Sequence, residues 1–167
     1  CDYPYIGSAA IKVVESASDR EVPFQFIIKK NVKYLRVLAE DVPSLGYKVY
    51  EILKNYDVKA FDPAATVADS IIENSHYRIT FSPQGVISSL IDKHDNNREC
   101  IQPVNNLFAN DLGSLRGISG SPLRVENAGA VSVTLTAESY KPVKHISKIT
   151  LFRSGDRIEL ENYILEN

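Results

Sequence analysis

The stretch that decides the fold is residues 70–98, which read SIIENSHYRITFSPQGVISSLIDKHDNNR. Two short apolar runs, at residues 70–74 and 76–81, are followed by a Pro-Gln-Gly turn and a third run at residues 86–92. The middle run places tyrosine, isoleucine and phenylalanine at alternate positions, which is the period of a half-buried strand. This succession of hairpins predicts an antiparallel sheet.

The same alternation extends in both directions from these hairpins. It predicts further strands at residues 10–15, 23–29, 32–39, 47–52, 123–127, 131–135, 146–153 and 157–165. In the last of these, Ile158, Leu160 and Ile164 lie on one face, and Asn162 among them would need hydrogen-bond partners if it were buried. Because no segment sustains a period of 3.6 residues, we predict an all-β chain whose sheets pack as a β-sandwich.

The clearest break in the strand pattern is at residues 55–66, where the period is lost and Pro63 follows Asp62. We therefore predict a smaller β-lobe at residues 1–62 and a β-sandwich at residues 67–167. The chain begins with Cys1 and contains no methionine, which we interpret as an internal piece of a longer polypeptide.

Composition excludes several classes of function. Hydrophobic residues make up 44% of the chain, enough for a sizeable core. Lys and Arg number 19 against 21 Asp and Glu, a net charge of −2, so a nucleic-acid partner is not expected. No apolar run has the length of a membrane span. Cys1 and Cys100 belong to no metal or disulfide pattern and are expected to be free, and they do not indicate a compartment.

Residues capable of catalysis are scattered. His76, His94 and His145 include no close-spaced pair, so we interpret them as surface or structural residues rather than zinc ligands. The oxygen-rich residues 92–97 lack the glycine and glutamate positions of a calcium loop and predict a polar turn. Residues 101–121 form an irregular polar segment that is longer than most loops, and such loops are often functional.

Four segments, residues 41–50, 72–93, 122–126 and 149–162, resemble glycoside hydrolase family 38, the α-mannosidases, and the order and spacing fit over about residues 22–162. The first two segments are the more specific. The residues that carry the resemblance include Val42, Pro43, Gly46, Tyr47, Glu73, Asn74, Asp92, Lys93, Arg157 and Asn162.

The resemblance implies a β-region akin to part of the galactose-mutarotase-like supersandwich, which would continue beyond residue 167. It implies a parent enzyme that hydrolyses α-mannosides with retention. In that family the zinc ligands and the aspartate nucleophile lie in an N-terminal α/β domain that this sequence does not contain. No catalytic residue, metal or cofactor is therefore assigned to this chain, which is expected to be inactive alone.

The partners implied by the resemblance are the enzyme's own catalytic domain and, through it, a glycan. The long polar loop is the candidate for completing the glycan cleft, with Asn105, Asn106, Asn110, Asp111 and Arg116 as its site residues. A carbohydrate-binding module that acts alone is an alternative, although the chain has no tryptophan. Tyr3, Tyr5 and Tyr140 lie in less regular stretches and are candidates for exposed aromatic rings. An unrelated structural or interaction domain is a third.

Overall fold

The computed structural model describes residues 1–7, 10–54, 60–83, 85–102, 120–140 and 143–165. Every regular element in these ranges is a β-strand, and every strand pairing is antiparallel, which confirms the predicted all-β fold. In chain order the strands are β1 (Asp2–Pro4), β2 (Ile11–Glu15), β3 (Arg20–Glu21), β4 (Phe24–Lys29), β5 (Val32–Val37), β6 (Tyr50–Lys54), β7 (Thr66–Ala68), β8 (Ile71–Glu73), β9 (Tyr77–Phe81), β10 (Ile87–Asp92), β11 (Arg98–Glu99), β12 (Gly120–Ala128), β13 (Ser132–Ser139), β14 (His145–Phe152) and β15 (Ile158–Ile164).

The chain divides into two compact units, of which the first consists of Cys1–Asp62 and Gly129–Val131. It contains two three-stranded sheets, ordered β1-β5-β4 and β3-β2-β6. Both sheets contribute to one apolar core, with Val13 from β2 and Leu35 from β5 fully buried. Burying such side chains contributes about 1.5–3 kcal/mol each, so this core is the main source of stability for the unit.

The β1 strand is attached to this unit by a charged group. The guanidinium of Arg36 on β5 donates two hydrogen bonds to the carboxylate of Asp2, at 2.7 and 3.0 Å, and Lys29 Nζ lies 2.8 Å from the same carboxylate. Burial opposes ionisation, but these bonds and charges outweigh it and hold the pKa of Asp2 well below its ordinary value. The buried guanidinium is thereby paired.

The second unit consists of Pro63–Ala128 and Ser132–Asn167. It contains a five-stranded sheet, ordered β11-β10-β9-β8-β7, and a four-stranded sheet, ordered β12-β13-β14-β15. Ile72 and Ile79 of the first sheet share one core with Leu135 and Leu151 of the second. Two sheets that bury their apolar faces against each other form a β-sandwich, as the sequence predicts.

Alternation along β13 shows how the sequence specifies this packing. Val133 and Leu135 are buried in the core, whereas Thr134 lies on the opposite face, where its hydroxyl is 2.9 Å from that of Thr150. The β13–β14 register runs without interruption from Ser132 opposite Phe152 to Ser139 opposite His145. A slip of one residue would expose the apolar row, so the pattern fixes the register.

Two turns have the backbone conformations that their residues favour. Gly85 has φ of +81°, and a Cβ there would lie 2.7 Å from the Cβ of Ala137, so the hairpin between β9 and β10 requires glycine. Asn96 and Asn97 adopt left-handed φ values of 51° and 56° between β10 and β11, which confirms the predicted polar turn.

The structure departs from the sequence prediction in its shortest elements. The predicted strand at residues 47–52 begins only at Tyr50, and residues 47–49 belong to no strand. The strands β1, β3, β7 and β11 have only two or three residues each and were not predicted, since a period cannot be established over so short a run. In the ranges described above, no helix is long and apolar enough to span a membrane.

Candidate functional site

Asn74 joins the two sheets of the second unit. It follows β8 and is buried, and its Oδ1 accepts hydrogen bonds from the backbone N–H groups of His76 (2.8 Å) and Tyr77 (2.7 Å). Its Nδ2 donates to the carbonyl oxygen of Phe152 at the end of β14, at 2.7 Å. One side chain therefore shapes the turn between β8 and β9 and connects that turn to the opposite sheet.

Lys93 extends this arrangement from the end of β10. Its Nζ donates to the carbonyl oxygen of Asn74 at 2.6 Å and lies 2.5 Å from Oε1 of Glu73. The hydrogen bond from Lys93 lowers the pKa of Glu73, against the opposing effect of burial. Glu73, Asn74 and Lys93, which lie at the two ends of the segment 72–93, are thus one connected group.

Two histidine rings stack beside this group. The rings of His76 and His94 have centroids 4.2 Å apart and an interplanar angle of 9°. Nδ1 of His76 lies 3.6 Å from Oδ1 of Asp156, and the hydroxyl of Tyr77 donates to the Asp156 carbonyl oxygen at 3.3 Å. Burial, with the nearby charge of Asp156, raises the pKa of Tyr77. We call Glu73, Asn74, His76, Lys93 and His94 the Asn74 cluster.

The contacts of the Asn74 cluster are those of a structural junction. Metal binding needs ligand atoms that converge on one point, whereas two parallel imidazoles lie face to face. Among the described residues, no group of three or more His, Cys, Asp or Glu side chains is placed to hold a metal ion. Asn74 and Lys93 direct their polar atoms to backbone groups, which stabilises the junction of β8, β9, β10 and β14.

In the first unit, a second charged group anchors the loop at residues 41–49. Oε1 of the buried Glu15 lies 2.8 Å from Lys48 Nζ, and its Oε2 accepts a hydrogen bond from the hydroxyl of Ser18 at 2.8 Å. These two bonds, that of Lys48 first, lower the pKa of Glu15. The carbonyl oxygen of Val49 also accepts from the backbone N–H of Ser16 at 2.9 Å. The end of the loop is therefore fixed to β2.

The same loop directs apolar side chains outward. A turn closed by Gly46 N–H and the Pro43 carbonyl oxygen, at 3.1 Å, precedes Tyr47. Leu45 is fully exposed and Tyr47 is 83% exposed. The motif residues at positions 43–47 therefore do not contribute to the core of this unit.

The tyrosines that sequence analysis considered for sugar stacking lie in different environments. Tyr3 and Tyr140 are exposed, whereas Tyr5 is half-buried and its ring centroid lies 5.4 Å from that of Phe26. Nζ of Lys144 lies over the Tyr140 ring, 5.5 Å from its centroid, so one face of that ring is covered. Tyr47, which the sequence pattern assigned to a strand, is more exposed than either.

The predicted cleft residues Asn105, Asn106, Asn110, Asp111 and Arg116 lie outside the described residues. Their role stays a prediction. Cys1 and Cys100 are both free and exposed, as expected from the absence of a cysteine pattern. His145 is buried, with Nδ1 2.8 Å from the carbonyl oxygen of Val143, which is the structural role that the sequence indicated.

Sequence reasoning missed the pairing of His76 with His94, because it judged the distance between them along the chain. A signal was present in the hairpin itself. The register places Asp92 opposite Tyr77, so Lys93 lies opposite His76, and the backbone N–H of Lys93 donates to the His76 carbonyl oxygen at 2.8 Å. Counting residues outward from the turn along both strands, and allowing for the one-residue shift at Ile87, would have placed His94 close to His76.

Comparison with known proteins gives a likeness of fold. No protein-family model and no curated protein matches the chain. Among solved structures, it is similar to the crystal structure of an alpha-mannosidase from Enterococcus faecalis V583, with a TM-score of 0.60 and 12% sequence identity. The similarity covers 95% of this chain and 25% of that chain, so this chain spans about a quarter of the other protein's length. At this identity the comparison establishes a shared fold.

Proposed function

We propose that this chain is the non-catalytic β-region of a glycoside hydrolase that resembles the family 38 α-mannosidases. The observation that carries the proposal is the similarity to an alpha-mannosidase over 95% of this chain but only 25% of that enzyme. A β-region of this kind is expected to accompany a larger catalytic part. The similarity in fold supports a glycosidase-related β domain, and the assignment to the mannosidase family is the more specific part of the proposal.

The positions of the motif residues support the assignment to the mannosidase family. Glu73, Asn74 and Lys93 carry the sequence resemblance. Asn74 connects the turn between β8 and β9 to Phe152 of β14, and Lys93 connects the end of β10 to Glu73 and Asn74. This accounts for why the motif includes an asparagine and a lysine rather than only apolar residues.

The proposed role of the chain is to brace the active centre of the parent enzyme. Packed sheets are stiff, so they hold the loops at their ends in fixed positions. The chemistry, which is the retaining hydrolysis of α-mannosides, belongs in this proposal to an α/β domain carrying zinc and an aspartate nucleophile. That domain is the proposed partner, and the glycan contacts the whole enzyme.

The loop with Asn105, Asn106, Asn110, Asp111 and Arg116 is proposed to complete the glycan cleft. Amide and guanidinium groups donate hydrogen bonds to sugar hydroxyls, and the polarity of this segment supports the assignment. In the full-length enzyme, replacing residues 105–116 by a short Gly-Ser linker should raise KM for a mannoside or lower kcat. Unchanged values of both would rule out this role.

The first experiment is a hydrolysis assay with an aryl α-mannoside. The 167-residue chain alone is expected to release no more phenol than buffer does, because the resemblance places the nucleophile and the zinc ligands in a domain outside this sequence. The complete reading frame should encode a preceding α/β domain with a His-x-Asp zinc motif. Turnover by the chain alone would place the chemistry here and contradict the proposal.

A second candidate function is glycan binding by the chain itself. The exposed side chains of Tyr3, Tyr47 and Tyr140 favour it, since exposed aromatic rings stack on sugars. A glycan array probed with the isolated chain distinguishes the two. Selective binding that is lost in Tyr47→Ala or Tyr140→Ala would establish a carbohydrate-binding module, and no binding to any glycan would leave the bracing role or an unrelated interaction domain.

A further inference from the structure

Glu99 is the last residue of β11, one of the two described strands that flank the polar loop with residues 105–116. The strand is only two residues long and pairs with β10 over that length alone. Beyond it, the backbone N–H of Cys100 donates to the carbonyl oxygen of Leu90, at 2.8 Å. A short ladder therefore holds the segment that enters the loop.

The side chain of Glu99 adds hydrogen bonds to this short ladder. Its Oε1 accepts from the backbone N–H groups of Leu90, at 2.8 Å, and of Ile101, at 3.1 Å. Its Oε2 accepts from the hydroxyl of Ser89. Burial opposes ionisation of Glu99, but these hydrogen bonds outweigh it and lower the pKa of the carboxyl. One carboxylate thus connects two neighbouring residues of β10 to the chain beyond β11.

Both flanks of the loop also rest on the core of the sandwich. Ile101 is half-buried and packs against that core, and so does Leu123 of β12. The backbone N–H of Leu123 donates to the carbonyl oxygen of Pro83, at 2.7 Å. The entry of the loop is therefore held by Glu99 and Ile101, and its return is held by Leu123.

We propose that Glu99 is a positioning residue for the glycan cleft, because it fixes the entry of the loop with residues 105–116. The inference rests on the proposed function, in which that loop completes the cleft. Glu99 acts through the backbone of the entering segment rather than by touching the glycan. A loop whose two ends are fixed presents its polar side chains at a lower conformational cost, so substrate binding weakens when the entry is released.

Amide hydrogen exchange of the 167-residue chain tests whether Glu99 holds the entry. In Glu99→Ala the N–H groups of Leu90 and Ile101 lose their acceptor and should exchange about fivefold faster, the equilibrium change for one net hydrogen bond. Glu99→Gln keeps a carbonyl oxygen for these groups, and the Ser89 hydroxyl can accept from the new amide, so exchange should stay close to that of the parent chain. Arg98→Gln, which removes only an exposed ion pair, is the matched control and should change neither rate.

Kinetics of the complete enzyme with an aryl α-mannoside test whether this hold affects the cleft. Glu99→Ala should raise KM by about fivefold and leave kcat within about twofold, because binding of the substrate and of the transition state weakens equally. Glu99→Gln should restore KM, and Arg98→Gln should match the parent enzyme. A role in stability alone would reduce the amount of folded enzyme, which lowers the apparent kcat and leaves KM unchanged.

The enzyme in which a Gly-Ser linker replaces residues 105–116 separates failure of this inference from failure of the proposed function. Unchanged exchange at Leu90 and Ile101 in Glu99→Ala would overturn the inference. So would an unchanged KM in Glu99→Ala when the linker enzyme is impaired, and in both cases the proposed function stands. If the linker enzyme is as active as the parent, the cleft role of the loop fails and the inference fails with it.

Discussion

Replacing Asn74 by alanine removes the hydrogen bonds that join the two sheets of the second unit. Three bonds are lost, those from the N–H groups of His76 and Tyr77 and that to the carbonyl oxygen of Phe152. At a net value of about 1 kcal/mol each, the free energy of unfolding should fall by about 3 kcal/mol. With an m-value of about 2 kcal/mol/M, the urea midpoint should fall by about 1.5 M.

Far-UV circular dichroism is the suitable probe for this measurement, because the chain contains no tryptophan. Ser75→Ala is the matched control, since Ser75 is the exposed neighbour of Asn74. It should change the free energy of unfolding by less than about 0.5 kcal/mol. If Asn74→Ala also falls within that limit, the hydrogen bonds of Asn74 do not hold the sheets together and the account of the motif is wrong.

Three further changes test other parts of the structure. Leu135→Ala should lower the free energy of unfolding by about 2–5 kcal/mol in urea, because Leu135 is buried in the sandwich core, and a smaller loss would indicate a looser core. Because the pKa of Asp2 is lowered in the folded state, its ionised carboxylate stabilises the fold above the ordinary pKa of about 3.9. This stabilisation is lost as pH falls through the folded-state pKa. Asp2→Asn should therefore be less stable at pH 7 by about 1–2 kcal/mol and lose less stability in acid, and parallel pH profiles would refute the role of Arg36. Leu45→Ser should leave stability within about 0.5 kcal/mol in the same assay, because Leu45 is fully exposed, and a larger loss would mean that its loop packs on the fold.

The long strands could be predicted because each has enough residues to establish a period and a buried face. The prediction that Ile158, Leu160 and Ile164 share one face is confirmed by their register opposite Leu151, Ile149 and His145. Asn162, which would need partners only if buried, is exposed, and the hydroxyl of Ser147 donates to its Oδ1 at 2.8 Å. The shared face of the three apolar residues follows from alternation alone.

The Asn74 cluster could not be predicted, because it depends on which strands become neighbours. Asn74 and Phe152 are far apart in the sequence, and nothing local to either indicates that the amide of one reaches the carbonyl oxygen of the other. The anchoring of Lys48 to Glu15 is a similar case, in which a strand end and a loop meet. Such pairings depend on sheet order, which periodicity does not specify.

The measurement that tests the central proposal most directly compares the product of the complete reading frame with the same product lacking residues 1–167. Both are assayed with an aryl α-mannoside under identical conditions. The complete product should hydrolyse the substrate with retention, and the shortened product should be inactive or strongly impaired, because its active centre has lost its brace. No hydrolysis by the complete product, or full activity after the deletion, would contradict the account.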